Sequence, residues 1–254
     1  MSQSDWAYLS NDLIYVALAL YALSFLSYTY ETAFSLRANK ISGDKHLDRS
    51  ITTKSRKVAS IVFLLATASL TLAVIARGIS AERIPLGNMY EYSITGAMTF
   101  ALAYLIIGLK FDLSWLGLPS SILILLILGT AITLLYRPSA PLVPALQSSW
   151  LVIHVSSAIL SGGIFLLSNT VAGAYLWLDR IERKGERSEF AKRLPSLESL
   201  DQLSYRLVAF VFPLWTFAVI SGAIWAEAAW GRYWGWDPKE TWAFITWILY
   251  ASYL

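Results

Sequence analysis

Residues 207–242 read LVAFVFPLWTFAVISGAIWAEAAWGRYWGWDPKETW. The first part, 207–229, is an apolar run long enough to cross a bilayer core as a helix, which takes about 20 residues. The second part, Trp230–Trp242, holds four tryptophans (Trp230, Trp234, Trp236, Trp242) and Tyr233 within thirteen residues. Arg232 and Lys239, and Asp237 and Glu240, are interleaved with them. A further apolar run, AFITWILYASYL (243–254), follows. An aromatic stretch between two apolar segments belongs at a membrane surface, so this region sets the fold class.

The end of the stretch has a local explanation. Asp237 suits an N-cap, Pro238 the first helical position, and Glu240 the N3 position of a capping box, so a helix starts at Pro238. The beginning leaves two readings. One is an interfacial aromatic belt. The other is a rigid platform for a flat, partly anionic ligand, with rings for stacking and Arg232 and Lys239 for carboxylates.

Working outward, the chain of 254 residues is 56% hydrophobic and 15% charged. These figures and the repeated apolar runs predict an all-α, polytopic transmembrane helical bundle forming a single integral membrane domain over 1–254. About seven spans are recognisable: 13–34, 58–76, 93–109, 116–136, 150–177, 207–229 with Pro213 as a kink, and a last one from Pro238. The last has seventeen residues, or roughly 25 Å of helix, and is expected to be truncated, the native protein continuing beyond Leu254. Cysteine is absent, which excludes disulfides, thiolate metal sites, a thiol nucleophile and a CxxCH haem attachment within the chain. No cleavable signal peptide is evident, and the basic residues, lying between spans, give no support to nucleic-acid binding.

Charge distribution predicts orientation. The segments 37–57, 110–115 and 178–206 hold fifteen of the twenty Lys and Arg residues, and the rest of the chain five. By the positive-inside rule the basic segments, including the loops 37–57 and 178–206, are cytoplasmic. The N-terminus, PLGNMYEY (85–92), the Pro-rich 137–149 and the tryptophan segment 225–242 are then external. Within 178–206, Glu182, Arg183, Glu186 and Arg187 predict a solvated helix, and Leu197, Leu200 and Leu203 a short helix lying on the membrane.

Two histidines are present. His46, among Asp44, Lys45 and Asp48, reads as a solvated loop residue. His154 lies one turn inside an apolar span, near its external end, with Trp150 four residues earlier on the same face. It is either bonded to a hydroxyl such as that of Ser156 or Ser157, or a metal or haem-iron ligand. Tyr90 and Glu91 also leave two readings, a helix entry capped by Asn88 or a lining of the external site. SGGIF (161–165) and SGAIW (221–225) read as small-residue packing positions. An external imidazole, aromatic walls and cations together suit haem.

WGRYWGWDPKETW resembles the tryptophan-rich "WWD" signature of the haem-handling membrane proteins, most closely the CcsA/ResC branch (CcsB in actinobacteria) of system II cytochrome c biogenesis. PLGNMYEY (85–92), SSWLVIHV (148–155), LDQLSYRLVAFVFPLWT (200–216) and SGAIWAEAAW (221–230) are similar to the same branch, so the resemblance runs from about Pro85 onward. It implies a subunit of a cytochrome c haem lyase (holocytochrome c synthase) that brings haem to the outer face for covalent attachment to the CxxCH of apocytochrome c. The haem is b-type, non-covalent and in transit. The implied partners are a ResB-type membrane protein, apocytochrome c and, indirectly, a thioredoxin-like protein that reduces it. By resemblance His154 is an axial ligand of the haem iron, and Trp230, Trp234, Trp236 and Asp237 belong to the signature. Arg232 and Lys239 are candidates for the propionates, and Trp242, Tyr90, Glu91 and Trp150 for the surrounding site. No residue is expected to do acid–base catalysis. The family pattern places further histidines after Leu254, so the chain as given is expected to hold half of the external axial pair. A system I CcmC-like delivery protein is the alternative within the class; a permease or a haem-bearing anchor subunit is the alternative outside it. The basic loops suit a bacterial plasma membrane, with the thylakoid as the alternative.

Overall fold

The computed structural model describes residues 1–41, 45–140, 147–185 and 190–254, with the side chains of 34–53 and 192 also outside the description. Among the described residues the chain is helical, without strands. Seven α-helices follow in order: α1 (Gln3–Ile41), α2 (Lys45–Ala81), α3 (Met89–Gly108), α4 (Gly117–Leu134), α5 (Ser149–Arg183), α6 (Leu197–Trp230) and α7 (Pro238–Tyr253). The first six are long and apolar enough to cross a membrane.

The α1/α2 pair shows why these sequences pack. Ala59, Ala66 and Ala73 recur every seven residues on α2 with Phe63 and Leu70 between them, and all are fully buried. A seven-residue repeat keeps one stripe of a helix against its neighbour, and alanine lets the backbones approach. Where the helices touch, hydroxyls bond across: Ser10 Oγ donates to the Ala73 carbonyl at 2.8 Å, Ser69 Oγ to Leu13 at 2.9 Å and Ser24 Oγ to Ala59 at 3.1 Å. The partners advance along one helix as they recede along the other, so the pair is antiparallel. A second pair, α5 and α6, joins the first through α3, and α4 packs on α1 and α3. At the α3/α5 crossing a Cβ on Gly163 would come within 2.7 Å of Thr99 Cγ2 and 3.0 Å of the Phe100 nitrogen, so this glycine sets how closely the two helices approach, as SGGIF predicts. Helix α7 lies against α6 and contributes no fully buried residue.

Hydrogen bonds identify the two ends of the bundle. At one, Gln3 bonds Glu82 (2.7 Å), Asn11 bonds Tyr136 (3.1 Å) and Arg83 reaches the Ala140 carbonyl (3.3 Å). The start of α5 and the 231–237 connection lie at this tryptophan end. At the other, basic end, the buried Glu31 carboxylate accepts from Arg56 (2.9 Å) and from Arg193, and Arg56 also reaches Ser114. One carboxylate thus ties α1, α2 and the α5–α6 connection together. The three basic segments converge at this end, as the charge pattern predicts.

Two local expectations fail. Residues 37–57 are mostly not loop, because α1 runs to Ile41 and α2 starts at Lys45; the side chain of His46 lies outside the described residues. Residues 197–203 are not a separate surface helix but the first turns of α6, capped by Ser196, with Leu200 and Leu203 buried. Those leucines pack into the main core with Leu178 and Ala191. Burial in the bundle wins over the interface because α5 and α6 continue past the apolar span as a pair. The solvated-helix expectation for 182–187 holds only to Arg183, where α5 ends; Glu186 and Arg187 lie outside the described residues.

Candidate functional site

The site is built where α6 ends. Gly231 adopts a left-handed conformation (φ 68°) and its N–H returns to the Glu227 carbonyl at 2.8 Å, which stops the helix. Seven residues later, at Pro238, α7 starts as its sequence predicts. Asp237 accepts from the N–H groups of Lys239 (2.8 Å) and Glu240 (3.0 Å), and Pro238 occupies the first turn. The Glu240 carboxylate closes the capping box and reaches further back. It accepts from the Gly235 N–H at 2.6 Å and the Asp237 N–H at 3.4 Å, and meets Arg232 Nη1 at 3.4 Å. Between those bonds Trp236 is held at φ 58°, a left-handed conformation that is sterically unfavourable for an aromatic residue. The connection is therefore tied, not loose.

His154 enters from α5. Its Nδ1 lies 2.8 Å from the backbone carbonyl of Ala218 on α6, not on Ser156 or Ser157; Ser157 Oγ instead donates to Ile153 of its own helix. A carbonyl only accepts, so Nδ1 carries the proton and Nε2 keeps its lone pair. Gly222 makes room for the ring. A Cβ there would lie 2.6 Å from His154 Cε1 and 2.7 Å from Nδ1. SGAIW is thus a small-residue packing position, as predicted, and what its glycine meets across the α5/α6 contact is the imidazole. Trp225 lies one turn on, nearly parallel to the imidazole (11°) with ring centroids 6.1 Å apart, and meets Trp230 edge-on at 4.7 Å.

These residues surround a cavity of about 110 Å³ lined by His154, Trp215, Gly222, Trp225, Trp230 and Trp234, with Asp237, Lys239 and Glu240 at its α7 side. The indole N–H groups of Trp215 and Trp234 are buried with no acceptor among the described residues. Lys239 is exposed and makes no ion pair among the described residues, whereas Arg232 lies over the Trp230 ring (5.8 Å) and is shared with Glu240. The chemistry available is an imidazole with a free lone pair, an aromatic wall, two unsatisfied N–H donors and a cation. That set fits a planar metal-bearing ligand with carboxylates. The volume is below the roughly 300–1,000 Å³ of sites that enclose a ligand, so the cavity could hold only one part of such a ligand.

The other predicted site residues lie elsewhere. Trp236 and Trp242 are each 67% exposed and line no part of this cavity. Trp150, in the first turn of α5, is also exposed and outside it. Tyr90 and Glu91 are buried in a separate cluster. Asn88 caps α3 by accepting from the Glu91 N–H at 2.9 Å, so the helix-entry reading holds for that turn. The Glu91 carboxylate bonds Arg77 (3.2 Å), Arg83 (2.8 Å) and the Gly87 N–H (2.8 Å). Tyr90 packs edge-on against Tyr136, with the Arg77 guanidinium over its ring at 5.3 Å. Sequence reasoning missed Trp215, Gly222 and Trp225 as site residues. Their signal was helical spacing: Ala218, Gly222, Trp225 and Ala226 fall on one stripe of α6, and that stripe faces His154.

Comparison with known proteins agrees with the part of the chain that builds this site. Residues 86–254 match the family described as cytochrome C assembly protein. The cytochrome c biogenesis protein CcsA of Guillardia theta is 37% identical over 211 residues, covering 75% of this chain and 69% of that one. The CcsA of Chlorella vulgaris is 38% identical over 217 residues (73% and 69%), and that of Prochlorococcus marinus 36% over 225 (77% and 71%). The chain belongs to the cytochrome c assembly protein family, with CcsA proteins among its relatives, and is an integral membrane protein of cytochrome c biogenesis.

Proposed function

We propose that the chain presents haem at its tryptophan end for covalent attachment to apocytochrome c, as a subunit of a system II haem lyase working with a ResB-type membrane partner. One observation carries this reading: the His154 Nδ1 bond to the Ala218 carbonyl, which fixes the tautomer with a free Nε2 in front of the tryptophan wall. Metal-binding histidines characteristically hold their second nitrogen on such an acceptor. In this reading Nε2 is an axial ligand of the iron. Trp215, Trp225, Trp230 and Trp234 cover one edge of the macrocycle, and Lys239 and the two unpaired indole N–H groups face its carboxylates. Arg232 is a second cation at the rim, and Asp237 holds Lys239 in place through the cap. The haem is b-type and in transit. The protein's share is to position it and keep the iron ligated while the thiols of an apocytochrome CxxCH, kept reduced by a thioredoxin-like protein, add to the vinyl groups.

In this proposal the basic end faces the cytoplasm and the tryptophan end the outer side, in accord with the gathering of basic segments around Glu31. The CcsA relatives favour system II over a CcmC-like delivery role. The exposed Trp236 and Trp242 suit the headgroup layer or the partner. Tyr90 and Glu91 support the scaffold, and neither they nor the exposed Trp150 touch the ligand. A bacterial plasma membrane remains the proposed location, with the thylakoid as alternative.

The test is c-type cytochrome maturation in cells lacking the gene, complemented with wild type or His154→Ala, beside absorption spectra of the purified proteins with added haem. Loss of maturation and of the wild-type Soret band in the variant is expected. Full maturation by His154→Ala would overturn the ligand assignment.

A further inference from the structure

A second and larger hollow lies towards the basic end, between α4, α5 and residues 190–194. Its volume is about 610 Å³, and it is lined by Trp115, Pro119, Leu123, Leu166, Gly173 and Trp177 among others. That is within the usual size of a ligand cavity. Phe190 meets the Trp177 ring edge-on with centroids 5.4 Å apart and closes one wall. Two polar residues in the wall are bonded within the protein: Asn169 accepts from the Tyr250 hydroxyl at 3.1 Å and Thr170 donates to the Leu166 carbonyl at 2.7 Å. The indole N–H of Trp115 is buried without an acceptor among the described residues. A Cβ on Gly173 would meet nothing within 4 Å, so the glycine serves no close helix contact and leaves the hollow open.

Gly173 and Trp177 also line an adjoining cavity whose other walls are Leu176, Asp179, Arg180, Arg183 and Lys184. Arg183 is paired with Asp179 at 2.9 Å. Arg180 and Lys184 are exposed and make no ion pair among the described residues. Cations in the last turn of a helix also complement its dipole, but the dipole explains neither the groove nor the unpaired indole. An apolar trough and a cationic patch that share Gly173 and Trp177 match the acyl chain and the phosphate of a phospholipid.

We propose that α4, α5 and residues 190–194 form a binding site for one anionic glycerophospholipid. An acyl chain occupies the Trp115–Trp177 trough, and the phosphate lies against Arg180 and Lys184. The site is separate from the His154 cavity and does not depend on what that cavity holds.

Native mass spectrometry of the full chain, released from vesicles of phosphatidylglycerol mixed equally with phosphatidylcholine, tests this. Wild type is expected to retain one phosphatidylglycerol in preference to phosphatidylcholine by about tenfold. The double variant Arg180→Gln/Lys184→Gln should lose the preference, and Gly173→Trp, which fills the trough, should lose the retained lipid of either kind. Glycerol phosphate, which has no chain, should not compete. Equal retention of the two lipids by wild type, a preference that survives the double variant, or competition by glycerol phosphate would each overturn the proposal. Arg180 and Lys184 are exposed, so the double variant decides the matter even if the tryptophan variant fails to fold.

Discussion

Two regions at the tryptophan end each bring ionisable groups into an apolar bundle, and they treat them in opposite ways. The Glu91 cluster is closed. One fully buried carboxylate accepts from two arginines and a backbone N–H, Arg77 also donates to the Arg137 carbonyl at 2.7 Å, and among the described residues only Arg83 Nε in the cluster lacks a partner. The His154 site is open. Its imidazole is bonded on one side only, two indole N–H groups lack acceptors, and Lys239 lacks a counter-ion among the described residues. Burying a charge without partners is costly, so the first arrangement is what stability produces. The second leaves polar valences unmet and is what a ligand would complete. The lesson is that an ionisable residue inside a span marks a site only when its valences are left over.

The comparison can be broken or sharpened by substitution. The largest effect is expected from Glu91→Gln, which leaves Arg77 and Arg83 facing each other in a buried setting. Removing one partner of a buried pair costs about 3–5 kcal/mol, read as a fall in the thermal unfolding midpoint in detergent; a midpoint within a degree of wild type would mean the cluster is not structural. Gly222→Ala should do the reverse. Its methyl pushes the imidazole off the Ala218 carbonyl; if His154 holds haem as proposed, binding should weaken by roughly ten- to a hundredfold, the effect of losing an outer partner of a metal-binding histidine. Helical content and unfolding midpoint should stay near wild type. Unchanged haem affinity would show that the orientation of His154 does not matter. The smallest effect is expected from Asp237→Ala, which removes the α7 cap. A lost N-cap costs about 0.5–2 kcal/mol, to be seen as faster hydrogen exchange confined to the first turn of α7.

Much of this was legible beforehand, for identifiable reasons. The spans are long apolar runs, and no tertiary information is needed to find them. The α7 cap was legible because Asp237, Pro238 and Glu240 interact only with neighbours in sequence, and the same holds for Asn88 with Glu91. What the sequence hid depends on contacts across the bundle. Arg77 reads as a loop cation at the end of a span, but it lies inside α2 because Glu91 is there to meet it. Leu197–Leu203 read as an amphipathic surface piece because nothing local says that α5 runs alongside. Gly222 and Trp225 read as packing because a glycine opposite an imidazole and a glycine opposite a helix backbone have the same sequence signature.

The Glu240 carboxylate has a consequence for how the site and α7 communicate. It completes the cap of α7 while holding Gly235 and meeting Arg232, and the residues just before Glu240 and Gly235, Lys239 and Trp234, line the cavity. Further along, α7 is tied to the bundle by Trp247 bonding Thr216 (2.9 Å) and by Tyr250 stacked on Phe165 at 3.9 Å. A ligand gripped by Trp234 and Lys239 therefore binds only the state in which the first turn of α7 is formed. By mass action it must stabilise that turn, by about 2.7 kcal/mol at a ligand concentration one hundred times its dissociation constant. If haem is held there as proposed, the anchoring of α7 would be a gauge of occupancy, firm when the site is filled and looser when it is empty.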